Sequence, residues 1–461
     1  MRTIALALAV SALASCTLGN TIDVCERTTP RERDFNARTE GDQLLPDRNA
    51  IAALPSGGAL VVWTSVPESG LPEIRGAVAS GDGALLPSCD SAKERTFNPS
   101  YQYADRAAVV VPSKADALGA VIYRRHILHQ HDEIWAVPIS ADGCALPEAD
   151  TANQPFALAV ADTGGQYSQP TAAILSDGTI VVVFTAFPPG SLRPHLLARR
   201  FRLKVGSEAE FLATPLSPHG ELADAVETNG AHANAVLVPM SDGAAMAFFE
   251  LEEDGYRIKL VRFASDFSIR WGPVLLADQK VPTGLGPQDV AVNLAYEPDS
   301  FFVTWVTIDF SIQPVVEGIF VSGDGQYLSA PRAPNGGPFR LGSGNGVVES
   351  GVSLTGTGEG GFLVAWHESG TATHADRSGF GLRAVGFDRD GAVRFSNRAC
   401  DSTDFQLNLS TDGDQTQPAL TRMADGAFLA AWNTKGGDSV DRDGSGVRAV
   451  GLTLRELFPV K

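Results

Sequence analysis

The hydrophobic pattern of this chain repeats. Continuously apolar runs such as Leu60-Val61-Val62 and Val181-Val182-Val183 recur along it, and each is closed by an aromatic residue: Trp63, Tyr123, Phe184, Phe249, Trp305, Trp366 and Trp432. The aromatic is the sixth residue counted from a turn glycine or its stand-in, and the copies are spaced by 56 to 66 residues. An unbroken apolar run of this length predicts a strand covered on both faces. Turns such as Asp177-Gly178, Asp242-Gly243 and Asp425-Gly426 precede the runs, and a second set follows the next strand at Asp82-Gly83, Asp142-Gly143, Asp324-Gly325 and Asp390-Gly391. Asp-Gly supplies the positive φ that a tight hairpin needs. Two tight hairpins per unit predict four antiparallel strands, and seven units predict an all-β, seven-bladed β-propeller whose blades cover one another.

The register places the blades at about 45–100, 101–165, 166–228, 229–285, 286–345, 346–410 and 411–461. It also gives the N-terminal segment a role. Asp34-Phe35 and Gly41-Asp42-Gln43 echo Asp404-Phe405 and Gly413-Asp414-Gln415, at nearly the same distance before the tryptophan. The last copy runs to Lys461 without the usual turn and fourth strand, so an N-terminal strand is expected to complete blade seven and close the ring, with Thr21 to Arg27 as the expected segment.

Composition narrows the partners. The net charge of −18 argues against nucleic acid or an anionic lipid surface. The first residues are Met1-Arg2 and an apolar run from Ile4 to Ala14, the shape of a secretory signal peptide and too short to span a bilayer. The run ends in Leu13-Ala14-Ser15-Cys16, which resembles the lipobox of bacterial lipoproteins. That resemblance implies a signal peptide over 1–15, acylation at Cys16, a short tether over 16–20 and one propeller domain over 21–461, of which 21–44 is closing strand and connection. Thr17 after the cysteine resembles an outer-membrane address, so the expected location is the cell envelope, lipid-anchored and facing either the periplasm or the surface. Ordinary cleavage after Ser15 with release is the alternative.

Four further cysteines, Cys25, Cys89, Cys144 and Cys400, form an even set in an oxidising compartment. Ring closure brings Cys25 beside Cys400 and places Cys89 and Cys144 on adjacent blades, so these are the expected disulfides. Small buried thiols are the alternative.

The pattern of Gln417-Pro418, Ala424-Asp425-Gly426-Ala427-Phe428, Trp432, Gly444-Ser445-Gly446 and Arg448-Ala449-Val450 resembles repeats of secreted bacterial surface proteins of the Q-x-P, D-G-G-F-V-V-x-W kind. The resemblance spans nearly the whole mature chain and implies an extracytoplasmic propeller, with little about chemistry. The signatures of WD40 repeats and of sialidase Asp-boxes are not matched; Ser80-Gly81-Asp82-Gly83-Ala84-Leu85 lacks the final Thr-Trp of the latter.

A residue repeated in seven blades is presumptively structural, so chemistry is sought in what is unique. Arg75, Arg383 and Arg448 recur in the third strand and are expected to pack their stems along the blade with the charge at the rim. The eight histidines all fall toward the face that carries the inserts after the second strand: His126, His129, His131, His195, His219, His232, His367 and His374. With Asp132, the group His126, His129 and His131 forms a candidate zinc-class site, although Arg124 and Arg125 oppose a cation there. Asp441-Arg442-Asp443-Gly444 and Asp388-Arg389-Asp390-Gly391 are thin candidates for calcium, since two spaced carboxylates fall short of its oxygen ligands. No cofactor is otherwise expected. His367-Glu368 lacks the second histidine of a zinc-protease helix, and no nucleophile elbow or phosphate loop is present. The expected function is a non-catalytic binding or assembly scaffold that holds a protein or glycan on the insert face. The rivals are a hydrolase or lyase acting on an extracellular polymer at that face, and an envelope-assembly subunit.

Overall fold

The structure is a computed structural model that describes residues 32–35, 41–46, 49–68, 70–87, 94–98, 103–110, 117–127, 130–146, 155–190, 193–204, 207–212, 231–252, 255–280, 292–308, 314–341, 348–369, 379–394, 404–408, 413–436 and 445–452. Among these residues every regular element is a strand, and the strands form seven antiparallel sheets. Blade two is typical, running outward as Tyr103–Val110, Gly119–Ile127, His131–Ile139 and Phe156–Val160. The first strands line the axis. Each packs against the first strands of its two neighbours, and Asp414–Arg422 of blade seven meets Ile51–Ala53 of blade one, so the ring is closed.

The second strand is the core of each blade because its run is apolar on both sides. Ile180–Phe187 and Gly243–Leu251 are buried along all but their last residue, and Trp63, Trp305, Trp366 and Trp432 are wholly inaccessible. The turn glycines do what the pattern demands: Gly178 has φ +84° and Gly83 +80°, which a Cβ would oppose. Less regular is the outer strand. In blades one, two, five and six it is interrupted by an insert after the second turn, as where the single bridge Ile139↔Ala145 precedes Phe156–Val160. In blade one the inner strand is also split, into Asp42–Leu44 and Ile51–Ala53, both paired to Ala59–Val66.

Closure of blade seven is by Arg33–Asp34, which pairs with Ser445–Leu452 through Arg33↔Ala449 and Asp34↔Arg448. Thr21 to Arg27, expected in that role, lie outside the described residues, as do Cys16, Cys25, Cys89 and Cys400. Cys144 is disulfide-bonded. The echo between Asp34-Phe35 and Asp404-Phe405 marks the outer strands of blades seven and six but with a two-residue offset: Asp34 opposes Arg448 as Gln406 opposes Arg383, and Phe35 N reaches Val447 O as Leu407 N reaches Leu382 O.

The repeated arginines differ from expectation. Arg383 is buried and paired with Asp404, with Glu368 at 3.8 Å. Arg448 is buried between Asp34 at 3.1 Å and Glu32 at 3.3 Å, and Arg75 lies 3.0 Å from Glu94. The charge is not carried out to solvent; it ties the third strand to a carboxylate of the outer strand, because the outer strand supplies an acid at that register.

Candidate functional site

Strand alternation decides what the insert face can present. With the aromatic of the second strand turned into the blade, the next residue turns out of it, and that position holds Thr185, His367 and Asn433 in blades three, six and seven. Each of these side chains accepts a backbone N–H from the inner strand of the following blade. Thr185 Oγ1 takes Asn234 N at 3.3 Å, His367 Nδ1 takes Gln417 N at 3.3 Å, and Asn433 Oδ1 takes Leu45 N at 2.6 Å. The inner strands need such acceptors because they are bulged there. In blade seven Thr416 opposes Asn433 and Ala419 opposes Ala431, which leaves two residues facing one, and Gln417 takes φ +53°. Blade three repeats the arrangement at Gln169, φ +50°. The Gln-Pro pair of the repeat, Gln417-Pro418 and Gln169-Pro170, is therefore the bulge.

His367 is thus a joint between blades six and seven. It is buried, its ring stands edge-on to Phe380 at 5.5 Å, and burial holds its pKa down at about 4, with the hydrogen bond to the Gly351 backbone pushing the other way. His232 is buried as well, edge-on to Phe248, with Nε2 3.8 Å from Glu250. Desolvation again lowers its pKa to about 4; the Glu250 carboxylate opposes that shift, and Lys259 and His195 add to it. Lys259 Nζ is 2.7 Å from the other Glu250 oxygen, so that carboxylate is compensated. His195, half-buried, opens the third strand of blade three.

Blade two separates the residues of the candidate zinc site. His126 and Asp132 are directly opposed across the hairpin, whereas His131 opposes Ile127. Alternation therefore sends His126 and Asp132 to one face and His131 to the other. On the first face, His126 Nδ1 is 2.5 Å from Asp132 Oδ1, and Tyr103 stands edge-on to the imidazole. Asp132 is buried, its Oδ2 accepts Tyr167 N of blade three at 3.1 Å, and Arg124 lies 3.8 Å away. On the second face, Glu133 gathers His131 at 3.3 Å, Arg125 at 3.3 Å and the Trp135 indole N–H at 2.6 Å. Among the described residues no group of three or more His, Cys, Asp or Glu side chains is placed to hold a metal ion. His129, His219 and His374 lie outside those residues, as do Asp441 and Asp443. Asp388 spends its Oδ1 on the amides of Asp390 and Ala392, so it caps its own turn.

The described histidines thus sit at strand ends rather than in loops. Sequence reasoning missed Glu297, which bridges blades five and six by accepting Gly358 N at 2.5 Å and Gly360 N at 3.1 Å. It also missed a cavity of about 1210 Å3 on the axis at the opposite end of the ring, where the turns between first and second strands converge. The signal available for both was the residue before each first turn, which is apolar at Leu54, Leu175 and Met423 but acidic at Glu297.

No family model matches the chain, and no curated protein does. Solved structures resemble it in fold. The α-L-arabinofuranosidase Arb93A of Fusarium graminearum is 12% identical over 76% of this chain and 93% of its own, with a TM-score of 0.40. A protein of unknown function from Dyadobacter fermentans is 13% identical over 77% and 96%, TM-score 0.44. The NanB sialidase of Streptococcus pneumoniae is 9% identical over 93% and 71%, TM-score 0.41. At these identities the likeness is one of fold and says nothing of reaction.

Proposed function

We propose that the chain is a lipid-anchored propeller of the bacterial cell envelope that holds a protein or glycan on its insert face without transforming it. The observation that carries the non-catalytic reading is the use made of the polar side chains there. His367, Asn433, Thr185 and Asp132 are spent on amides of the neighbouring blade, so they stiffen a platform rather than converge on a substrate. The lipobox-like Leu13-Ala14-Ser15-Cys16 supports the anchor, and the even cysteine set supports an oxidising compartment.

The test places a photo-crosslinking residue in cells at exposed Gln130 on the insert face or at exposed Asp425 on the other. A defined adduct from position 130 alone is the expected result; adducts from 425 alone, or from neither, refute the reading. In parallel, a clickable palmitate should label the protein and fail to label Cys16→Ala.

One observation favours the catalytic alternative. Asp132 fixes His126 through Nδ1 and leaves Nε2 as the nitrogen for proton transfer, as an oriented general base requires. Polymer hydrolysis that disappears in both His126→Ala and Asp132→Asn would move the chain into the enzyme class.

A further inference from the structure

The axial cavity at the first-turn end takes wall from six of the seven blades, missing only blade six. At about 1210 Å3 it slightly exceeds the usual range for small-molecule sites, about 300 to 1,000 Å3. Its wall has two characters. Leu118, Leu175, Met240 and Met423 give it a buried apolar part, with the two methionines supplying adaptable, polarizable surface. Arg202, Lys204 and Arg422 give it three cations against the single carboxylate of Asp177. That is an inversion of sign, since the whole chain carries −18.

The cations are not equivalent. Arg202 is engaged by Asp177 and donates to Thr179 Oγ1 at 3.1 Å, and Lys204 lies 3.2 Å from Glu210. Arg422 is exposed and makes no hydrogen bond or ion pair with a described residue. Its tip rests against Gly358 of blade six, where an added Cβ would fall 1.9 Å from Nη1, and as the end of a long exposed side chain it is free to swing toward the cavity that Arg422 lines. Arg422 thus brings to the cavity rim a guanidinium with no ion pair to a described residue, while the nearby Glu297 carboxylate is taken up by the amides of Gly358 and Gly360.

We propose that this cavity binds a small amphipathic organic anion, a carboxylate or sulfonate head on an apolar body, with the head on Arg422 and the body against Leu175, Met240 and Met423. The head forms charge-assisted, fork-like hydrogen bonds with the guanidinium, and the body displaces water from the apolar wall. The site lies at the end of the ring opposite the insert face, so it stands or falls separately from the scaffold reading.

The test uses the purified full chain with 8-anilinonaphthalene-1-sulfonate as the fluorescent probe, and octanoate and 1-octanol as competitors. Octanoate should displace the probe and octanol should not. Arg422→Ala should weaken octanoate about tenfold, the loss of one charge-assisted contact. Arg422→Lys should recover part of that loss, and Lys435→Ala, on the insert-face end of its strand, should leave binding unchanged. Because Arg422 is exposed and pairs with no described residue, its variants should fold as the parent does, which unchanged melting confirms. Equal displacement by octanol, unaltered affinity in Arg422→Ala, or binding of anionic phosphatidylglycerol vesicles without binding of free octanoate would each overturn the proposal.

Discussion

His367→Gln should flatten the acid limb of the stability curve. In the native ring the neutral imidazole accepts the Gln417 amide inside a buried joint, and its pKa falls from the ordinary 6.5 to about 4. The unfolded chain therefore takes up a proton on this side chain that the folded chain refuses. Its stabilising effect is complete above pH 6.5, drains away as pH falls through the interval between the two values, and is exhausted below about 4. With those values, linkage gives a loss of about 2 kcal/mol between pH 7 and 5 and about 3 kcal/mol by pH 4. Glutamine offers an uncharged oxygen to the same amide and cannot titrate. The measurement is urea unfolding of both proteins at pH 7, 6, 5 and 4.5. Carboxylates and His232, common to both, cancel in the difference, which should shrink by about 2 kcal/mol toward pH 5. Parallel curves over that range would refute the assignment of a buried, neutral, accepting histidine to this joint.

Three further perturbations follow from the packing. Gly351→Ala sets a methyl 2.4 Å from His367 Nδ1 and 3.0 Å from Gln417 Cα, and should cost about 1 to 3 kcal/mol in urea unfolding. Phe35→Ala should behave as a core truncation, losing about 3 to 5 kcal/mol, because Phe35 is wholly buried against Trp63 at 6.0 Å; a loss below 1 kcal/mol would mean that the N-terminal segment does not hold the ring shut. Asp404→Ala leaves the buried Arg383 with Glu368 at 3.8 Å in place of its close partner and should cost about 3 kcal/mol, part of it recovered in Asp404→Leu/Arg383→Met, where the buried cation is gone and Glu368 keeps the Trp366 indole N–H.

The blade was legible because its determinants are local. An apolar run, an aromatic at fixed distance and Asp-Gly turns each act within a few residues, and Trp63 to Trp432 are where that pattern puts them. Even the Gly-Asp-Gln echo was readable as position, and it has a mechanism. Asp414 accepts Phe380 N of blade six and Asp42 accepts Ser445 N of blade seven, while Gln43 accepts the Trp63 indole N–H. The roles of the histidines were not legible, because they depend on partners and register that no local pattern names, fifty residues away for His367 and across a hairpin for His126. His367 needs Gln417, and His126 needs the register that sets it against Asp132 rather than His131. A density of polar residues in sequence thus resolved into two faces of one hairpin. The axial cavity escaped for a related reason: its wall is assembled from short stretches of six blades, each unremarkable beside its own turn.

The pairing of Asp34 with Arg448 sets a timetable. These two residues are 414 positions apart, yet each completes the outer edge of the same sheet. At synthesis rates of roughly 5 to 20 residues per second, the closing strand emerges some 20 to 80 s before its partner exists. Through that interval the growing array has an open side, and Phe35 has blade one but not blade seven to pack against. The last strand among the described residues, Ser445–Leu452, is the one that ends the exposure. A ribosome stalled shortly before residue 445 would therefore leave a nearly full-length chain that is still, in its edges, an unfinished one.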